Sequence, residues 1–205
     1  MIDETSINPD LALAALYLPR MARPNWLAMA ALDAVLATAV RGISEPMLGQ
    51  IKLAWWREEL ERMTTSRHPV VMALQNGGIA SAAAAPLVDA WEALLGGEQA
   101  DSLARFAAFR GTGLAQTDGC AGAEAWALAD LARHSSSFEL AQAALDAAGL
   151  KLMHAPRRDG GPMGRAVDAL MALARRDVAR GAGGLEPADH PARVLRVLRQ
   201  RLIGR

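Results

Sequence analysis

Metal binding on a helix requires pairs of acidic side chains that share one face, so the spacing of the Asp and Glu residues is the first feature of this chain to consider. Carboxylates at positions i and i+4 point the same way and can share a hard cation such as Mg²⁺. None of the 22 Asp and Glu residues lies four positions from another. The nearest substitutes are three positions apart, and we predict that they are solvated surface residues rather than metal ligands: Glu58/Glu61, Asp89/Glu92, Glu98/Asp101 and Glu186/Asp189.

Asp130 and His134 are the other two residues whose spacing could serve a metal. They lie four positions apart, so a continuous helix places them on the same face. No third ligand is close to them in the sequence, as a zinc site would require. The alternative that we favour is a histidine that interacts with the C-terminal end of the helix dipole. The sequence therefore predicts no metal site.

The elements that must position these residues are helices. Ala, Leu, Arg and Glu favour helix, β-branched residues are sparse, and 52% of the chain is hydrophobic. Turn residues divide the chain into about nine helices, and we expect one all-α domain over residues 1–205. Ser44 is predicted to cap a helix with Pro46 in its first turn, and Pro86 to open another. The capping-box spacing of residues 136–139 predicts a helix that stops at Gly149.

Two helices have informative faces. In 44–64 the apolar residues spread over much of the circumference, which predicts a helix inside a bundle. In 190–203 the residues Val194, Leu195, Leu198 and Leu202 share one face, and Arg193, Arg196 and Arg199 share the other. The basic face could meet an anionic membrane surface or an acidic partner. The alternative that we favour docks this helix on the core with a solvated arginine face.

Composition excludes several classes of protein. The formal net charge is zero, with 22 basic and 22 acidic residues, so no general attraction to nucleic acid is expected. The single Cys120 excludes an intrachain disulfide framework. No window is long and apolar enough to predict a membrane span, and the N-terminus lacks the pattern of a signal peptide. We expect a cytoplasmic protein whose membrane contact, at most peripheral, uses residues 190–205.

Several motifs resemble the squalene/phytoene synthase family. The firmest is Ser44-Glu45-Pro46 followed by LAWWREEL at 53–60, and residues 126–133 resemble the helix that carries the family's second aspartate motif. Weaker similarities to the family lie at Leu18-Pro19, Arg23, 30–35 and His68-Pro69-Val70. The resemblance extends from about Leu13 to Leu202 and implies an isoprenoid-synthase-like helical bundle. It also implies two aspartate motifs whose Mg²⁺ ions grip the diphosphates of prenyl donors.

Both aspartate motifs lack carboxylates in this chain. The matching positions are Val40–Ser44 and His134–Phe138. This departure, and a resemblance to the family branch of complex I assembly factors, predict a non-catalytic protein without a metal cofactor. It would bind a prenyl lipid, a prenyl diphosphate or a quinone-like ligand, or act on a respiratory-chain subunit. The resemblance also allows a peripheral position at the inner membrane.

Two other functions stay open. The chain could be an active Mg²⁺-dependent prenyl (farnesyl or geranylgeranyl) transferase that uses displaced carboxylates such as Asp89, Glu92 and Asp130. It could instead be a purely structural helical protein whose cavity has collapsed. A transferase needs at least two carboxylates that converge in a cavity, whereas an assembly role predicts a filled cavity and an exposed apolar patch.

The resemblance and the spacing together give the residues that we expect around a central cavity. Arg41, at a former metal position, could bind an anion there, or it could pair with Asp130 across the cavity and seal it. Adjacent tryptophans on a helix point about 100° apart, so at most one of Trp55 and Trp56 faces a cavity. The full set of candidate residues is Arg41, Trp55, Trp56, Asp130, Arg133 and His134.

Overall fold

The computed structural model describes residues 7–43, 45–96, 98–155 and 161–203, and the side chains of these ranges up to residue 199. Predictions that concern Ser44, Gly97, residues 156–160 or the Leu202 side chain lie outside this description. The described residues form ten α-helices and no strand. The all-α prediction is thus confirmed, and the architecture is consistent with an isoprenoid-synthase-like bundle. The helices are α1 Pro9–Ala15, α2 Arg23–Val40, α3 Pro46–Glu61, α4 Pro69–Asn76, α5 Ser81–Ala93, α6 Gln99–Ala115, α7 Ala121–His134, α8 Phe138–His154, α9 Pro162–Arg180 and α10 Pro191–Ile203.

Local side-chain bonds begin several of these helices. The Asn8 side chain accepts a hydrogen bond from the Asp10 amide at 3.0 Å, which starts α1. Ser137 Oγ accepts from the Leu140 amide at 3.2 Å at the start of α8. Each bond satisfies one of the free amides that a helix N-terminus leaves. Proline stands in the first turn of α1, α2, α3, α4 and α9, where its missing N–H costs nothing.

Two predicted helix boundaries are wrong. Pro86 lies inside α5, because the preceding Ser81–Ala85 is rich in alanine and extends the helix upstream. Gly149 does not end α8, which continues to His154. The buried face of α8 packs on α7 and α9, and this contact outweighs the unfavourable helix propensity of one glycine. Glu45 occupies the N-cap position of α3, and its side chain makes no capping hydrogen bond.

Helix α7 forms the centre of the bundle. Helices α6, α8 and α9 all pack against it, and every residue from 122 to 132 is buried. A helix that is buried around its whole circumference is typical of the middle of a globular bundle. Any polar side chain on α7 therefore needs a partner inside the protein.

The sequence predicts that helix α3 lies inside the bundle, but the structure places it at the surface of the bundle. Its buried face, which includes Leu53, Trp56 and Leu60, packs mainly on α5. The opposite face carries exposed apolar side chains: Met47, Leu48, Ile51 and Trp55. We call these four residues the α3 stripe. The apolar residues of α3 are divided between two faces, and the bundle covers only one of them.

The last helix does not have its predicted orientation. Arg193 and Val197 of α10 are buried, whereas Leu195 and Leu198 are exposed. The prediction of a solvated arginine face is therefore wrong for Arg193. The physical reason is that Asp10 and Asp177 are buried at the position where α10 docks, and they form ion pairs with Arg193. Among the described residues, no helix combines the length and apolar character that a membrane crossing needs.

Candidate functional site

Seven charged side chains meet at the centre of the bundle, and six helices contribute them. Each of the seven is buried, although the residues are widely separated in sequence. Burial of so many charges is costly unless each is paired and hydrogen-bonded. We call this set the central network: Asp10 of α1, Asp33 of α2, Arg110 of α6, Asp130 and Arg133 of α7, Asp177 of α9 and Arg193 of α10.

Arg110 organises one half of the central network. Its Nε and Nη2 donate to the two carboxylate oxygens of Asp33 at 3.0 and 2.6 Å. Its Nη2 also lies 2.8 Å from Oδ2 of Asp130, although without hydrogen-bond geometry. The guanidinium carbon is 4.7 Å from the ring centroid of Trp126. Burial lowers the pKa of Arg110, but Asp33 and Asp130 outweigh it and raise the pKa above its ordinary value.

Arg193 and Arg133 organise the other half. Arg193 Nη2 donates to Asp10 at 2.7 Å, and its Nη1 donates to Asp177 at 2.5 Å. Arg133 Nη1 donates to the same Asp10 oxygen at 3.0 Å, and its Nη2 donates to Asp130 at 3.3 Å. Arg133 thereby joins the two halves of the network.

Neutral donors complete the environment of the carboxylates. Trp126 Nε1 donates to Asp10 at 3.0 Å, and Trp91 Nε1 donates to Asp33 at 2.9 Å. Asn8 Nδ2 donates to Asp130 at 2.7 Å. These N–H groups give the buried carboxylate oxygens hydrogen-bond partners in addition to the arginines.

Arg41 and His134 lie at the edge of the central network. Arg41 Nη2 is 3.8 Å from Asp130 Oδ2, and its guanidinium lies 5.3 Å from the Trp91 ring centroid. Its side chain is 37% exposed, so it is in contact with both the network and solvent. His134 Nδ1 lies 2.9 Å from the Asp130 backbone oxygen and 3.3 Å from Oδ1. With Arg41 included, four arginines balance the four aspartates.

The acidic groups of the network respond differently to burial. Burial raises the pKa of the Asp130 carboxyl, but Arg110, His134 and Arg133 outweigh this effect and bring the pKa well below its ordinary value. Burial raises the pKa of Asp177, and its arginine neighbours do not reverse that change. Burial also lowers the pKa of Arg41, although Asp130 acts in the opposite direction. The pKa values of Asp130 and Asp177 are therefore shifted in opposite directions, and the network holds Asp130 in its charged form.

The central network does not fit a pair of Mg²⁺ ions. Magnesium takes hard oxygen ligands in near-octahedral geometry. Here guanidinium groups occupy the cation positions beside all four aspartates. Within the described part of the chain, no group of three or more His, Cys, Asp or Glu side chains could hold a metal ion.

The structure brings together four of the six candidate cavity residues: Arg41, Asp130, Arg133 and His134. The other two, Trp55 and Trp56, pack instead around His68, with ring centroids 6.0 and 4.7 Å from the imidazole. Trp56 is buried and Trp55 is half-exposed, as their different directions on the helix require.

The carboxylates that a transferase could use in place of the motifs do not converge. Asp89 and Glu92 both pair with Arg57 at the surface, and the Arg57–Asp89 contact is 2.6 Å. Asp130 is fully buried among the arginines of the central network. These three residues therefore do not form a common site.

The sequence analysis missed five members of the central network, although a signal for them exists. Asp33 shares a helix face with Met29 and Leu36, and Arg110 shares one with Phe106 and Leu114, all of which are buried. A charged residue at a core position of an amphipathic helix indicates a buried ion pair. The missed residues are Asp10, Asp33, Arg110, Asp177 and Arg193.

Comparison with known proteins gives one result. Residues 7–105 match the family model described as squalene/phytoene synthase. Comparisons with curated proteins and with solved structures give no match. The matched segment runs from α1 into α6 and contains Asp10, Asp33 and Arg41, whereas the other arginines and aspartates of the network follow it. Over this N-terminal segment the chain is similar to the squalene/phytoene synthase family.

Proposed function

We propose that this squalene/phytoene synthase-like protein does not catalyse prenyl transfer and acts as a binding or assembly protein. One observation carries the proposal: each buried aspartate of the bundle centre is already ion-paired with arginine. A Mg²⁺-dependent transferase needs carboxylates that are free to ligate metal. Loss of both aspartate motifs points in the same direction.

The permanent charge of arginine makes it difficult for a metal ion to displace the guanidinium groups from the buried aspartates. A guanidinium group stays protonated in proteins, and the raised pKa values of Arg110 and Arg193 keep these two side chains charged at any working pH. A metal ion that entered the network would add positive charge beside three cations and break their ion pairs. The energetic cost of an unpaired buried charge opposes that exchange.

The position of Arg41 supports the role in which it pairs with Asp130 and seals the cavity, rather than the role in which it binds an anion. Its guanidinium lies near Asp130 and over Trp91, so its charge is directed into the network. Asp130 already compensates part of the charge of Arg41, so a diphosphate would have to compete with this carboxylate for the guanidinium group. We therefore expect that Arg41 contributes to stability more than to ligand binding.

The α3 stripe supports an assembly role. Met47, Leu48, Ile51 and Trp55 are between 46% and 68% exposed on one helix face. Contiguous exposed apolar side chains are typical of protein interaction sites. A respiratory-chain subunit is the partner that the family resemblance suggests. Binding of a prenyl lipid or quinone-like ligand is the other form of the proposed function.

The test is thermal stabilisation by farnesyl diphosphate with and without Mg²⁺. We expect no rise in melting temperature that depends on Mg²⁺, because no carboxylate pair is free to bridge metal and diphosphate. Arg41→Ala should lower the melting temperature by a few degrees without changing any response to the diphosphate.

Asp130→Asn is the control for an unexpected metal response. A Mg²⁺-dependent rise in the wild type that Asp130→Asn abolishes would contradict the proposal and restore the transferase interpretation. Loss of a metal-independent response in Arg41→Ala would instead show that Arg41 binds the anion.

A further inference from the structure

A second site lies on the surface between the start of α2 and α4. It is a groove of about 860 Å³, and no member of the central network lines it. Its walls are mainly apolar, with Met21, Leu27, Pro69 and Met72 among the lining residues. Its volume falls within the range of small-molecule binding sites.

Two methionines make this groove unusual for a solvent-exposed surface. Met21 is 89% exposed and Met72 is 45% exposed, and both line the groove. Long unbranched thioether side chains adapt their shape to an apolar ligand at little cost. The proline residues at the first turns of α2 and α4 give the same groove rigid backbone walls.

The polar side chains of the groove are carboxamides, and none of the described residues that line it carries a charged side chain. Asn25 Nδ2 donates to the Gly77 backbone oxygen at 2.9 Å, which fixes this carboxamide between the two helices. Asn76 is an exposed residue that also lines the groove. A charged ligand would lose hydration here without gaining an ion pair, whereas an uncharged one would not.

We propose that the α2–α4 groove binds an uncharged amphiphile, a molecule with one long apolar chain and one hydrogen-bonding head group such as a hydroxyl. The chain contacts Met21, Leu27 and Met72, and the head group faces the carboxamides of Asn25 and Asn76. This inference is independent of the proposed function, because it uses none of the residues that decide whether the bundle centre can hold metal.

The experiment follows methionine methyl resonances by NMR in the full chain while 1-decanol is added. We expect saturable shifts at Met21 and Met72, and no shift at Met153, which is 70% exposed elsewhere. Decanoate, with a chain of the same length and a charged head at neutral pH, should bind at least about tenfold more weakly, which corresponds to about 1.4 kcal/mol.

Matched variants give the second readout. Met72→Gln should weaken 1-decanol binding by at least about fivefold, because it removes apolar contact while leaving α4 intact. Met153→Gln, at an exposed methionine that does not line the groove, should leave binding unchanged.

Three outcomes would overturn the inference. Equal, unsaturable shifts at Met153 and Met21 would mean general partition onto exposed apolar residues. Decanoate binding as tight as 1-decanol binding would contradict the uncharged ligand class. Unchanged Met21 and Met72 resonances would exclude a small amphiphile and leave a protein segment as the occupant. Each result is independent of any response to farnesyl diphosphate and Mg²⁺.

Discussion

At the scale of single residues, the buried arginines decide what the bundle centre can do. A buried ion pair is weak evidence for stability by itself, because desolvation of both ions offsets their attraction. Removal of one partner is different, since it leaves the other charge buried and uncompensated. Arg110 is the most informative case, because it contacts both Asp33 and Asp130 and is almost fully buried.

Arg110→Met should destabilise the fold by about 3–5 kcal/mol, because Asp33 and Asp130 lose the guanidinium that compensates their charge. Equilibrium urea unfolding measures the effect. Arg57→Met is the matched control: Arg57 also contacts two carboxylates, Asp89 and Glu92, but its side chain is 38% exposed. A surface pair of this kind contributes at most about 1 kcal/mol. Equal losses in the two variants would contradict a dominant role for the buried pairs.

At the scale of helices, two helices can pack closely where a glycine leaves room for the backbone of its neighbour. A Cβ at Gly111 of α6 would lie 2.7 Å from Glu124 Cγ and 3.1 Å from the Glu124 backbone nitrogen. A Cβ at Gly149 of α8 would meet Val178 Cγ1 at 3.6 Å, an ordinary contact. The two glycines therefore have different structural roles, although both lie inside helices.

Gly149→Ala should stabilise the protein by about 0.5–1 kcal/mol, because alanine favours helix and its methyl group fits against α9. Gly111→Ala should destabilise it, because the backbone of α7 would have to move away from α6. Thermal unfolding of both variants under one set of conditions gives the comparison. A destabilised Gly149→Ala variant would show that α8 and α9 lie closer together than described.

At the scale of the whole molecule, the central network couples stability to pH. The pKa of Asp130 is below its unfolded value of 3.8. The stability that its ionised form contributes is therefore complete above that value and is lost as the pH falls through the folded pKa. Asp177 acts in the opposite direction, because its raised pKa makes the folded protein bind a proton more tightly than the unfolded chain does.

Asp130→Asn should therefore be less stable than the wild type by an amount that is constant above about pH 5 and shrinks at lower pH. Urea unfolding of both proteins from neutral pH to below the unfolded pKa of 3.8 measures this difference. A difference that stays constant over the whole range would mean that Asp130 keeps its ordinary pKa in the folded protein.

Local sequence signals determined most of the helices. Pro46 in the first turn of α3 and the serines that precede α8 act over a few residues, so they can be recognised without tertiary information. The exceptions, Pro86 and Gly149, are positions where neighbouring alanines or a packed face outweigh one unfavourable residue. The loss of both aspartate motifs is equally visible in the sequence, because it concerns residue identity alone.

Only the tertiary structure decided which charges meet. Asp10 and Arg193 are separated by 183 positions, yet they form a hydrogen-bonded pair inside the bundle. Tertiary packing also decided that Arg193 of α10 is buried, whereas Leu195 and the α3 stripe are exposed. Helical periodicity shows which residues share a face, but not which neighbour covers it. That choice depends on the partner surface, and here the buried carboxylates of Asp10 and Asp177 pair with Arg193, where hydrophobicity alone predicted a leucine face.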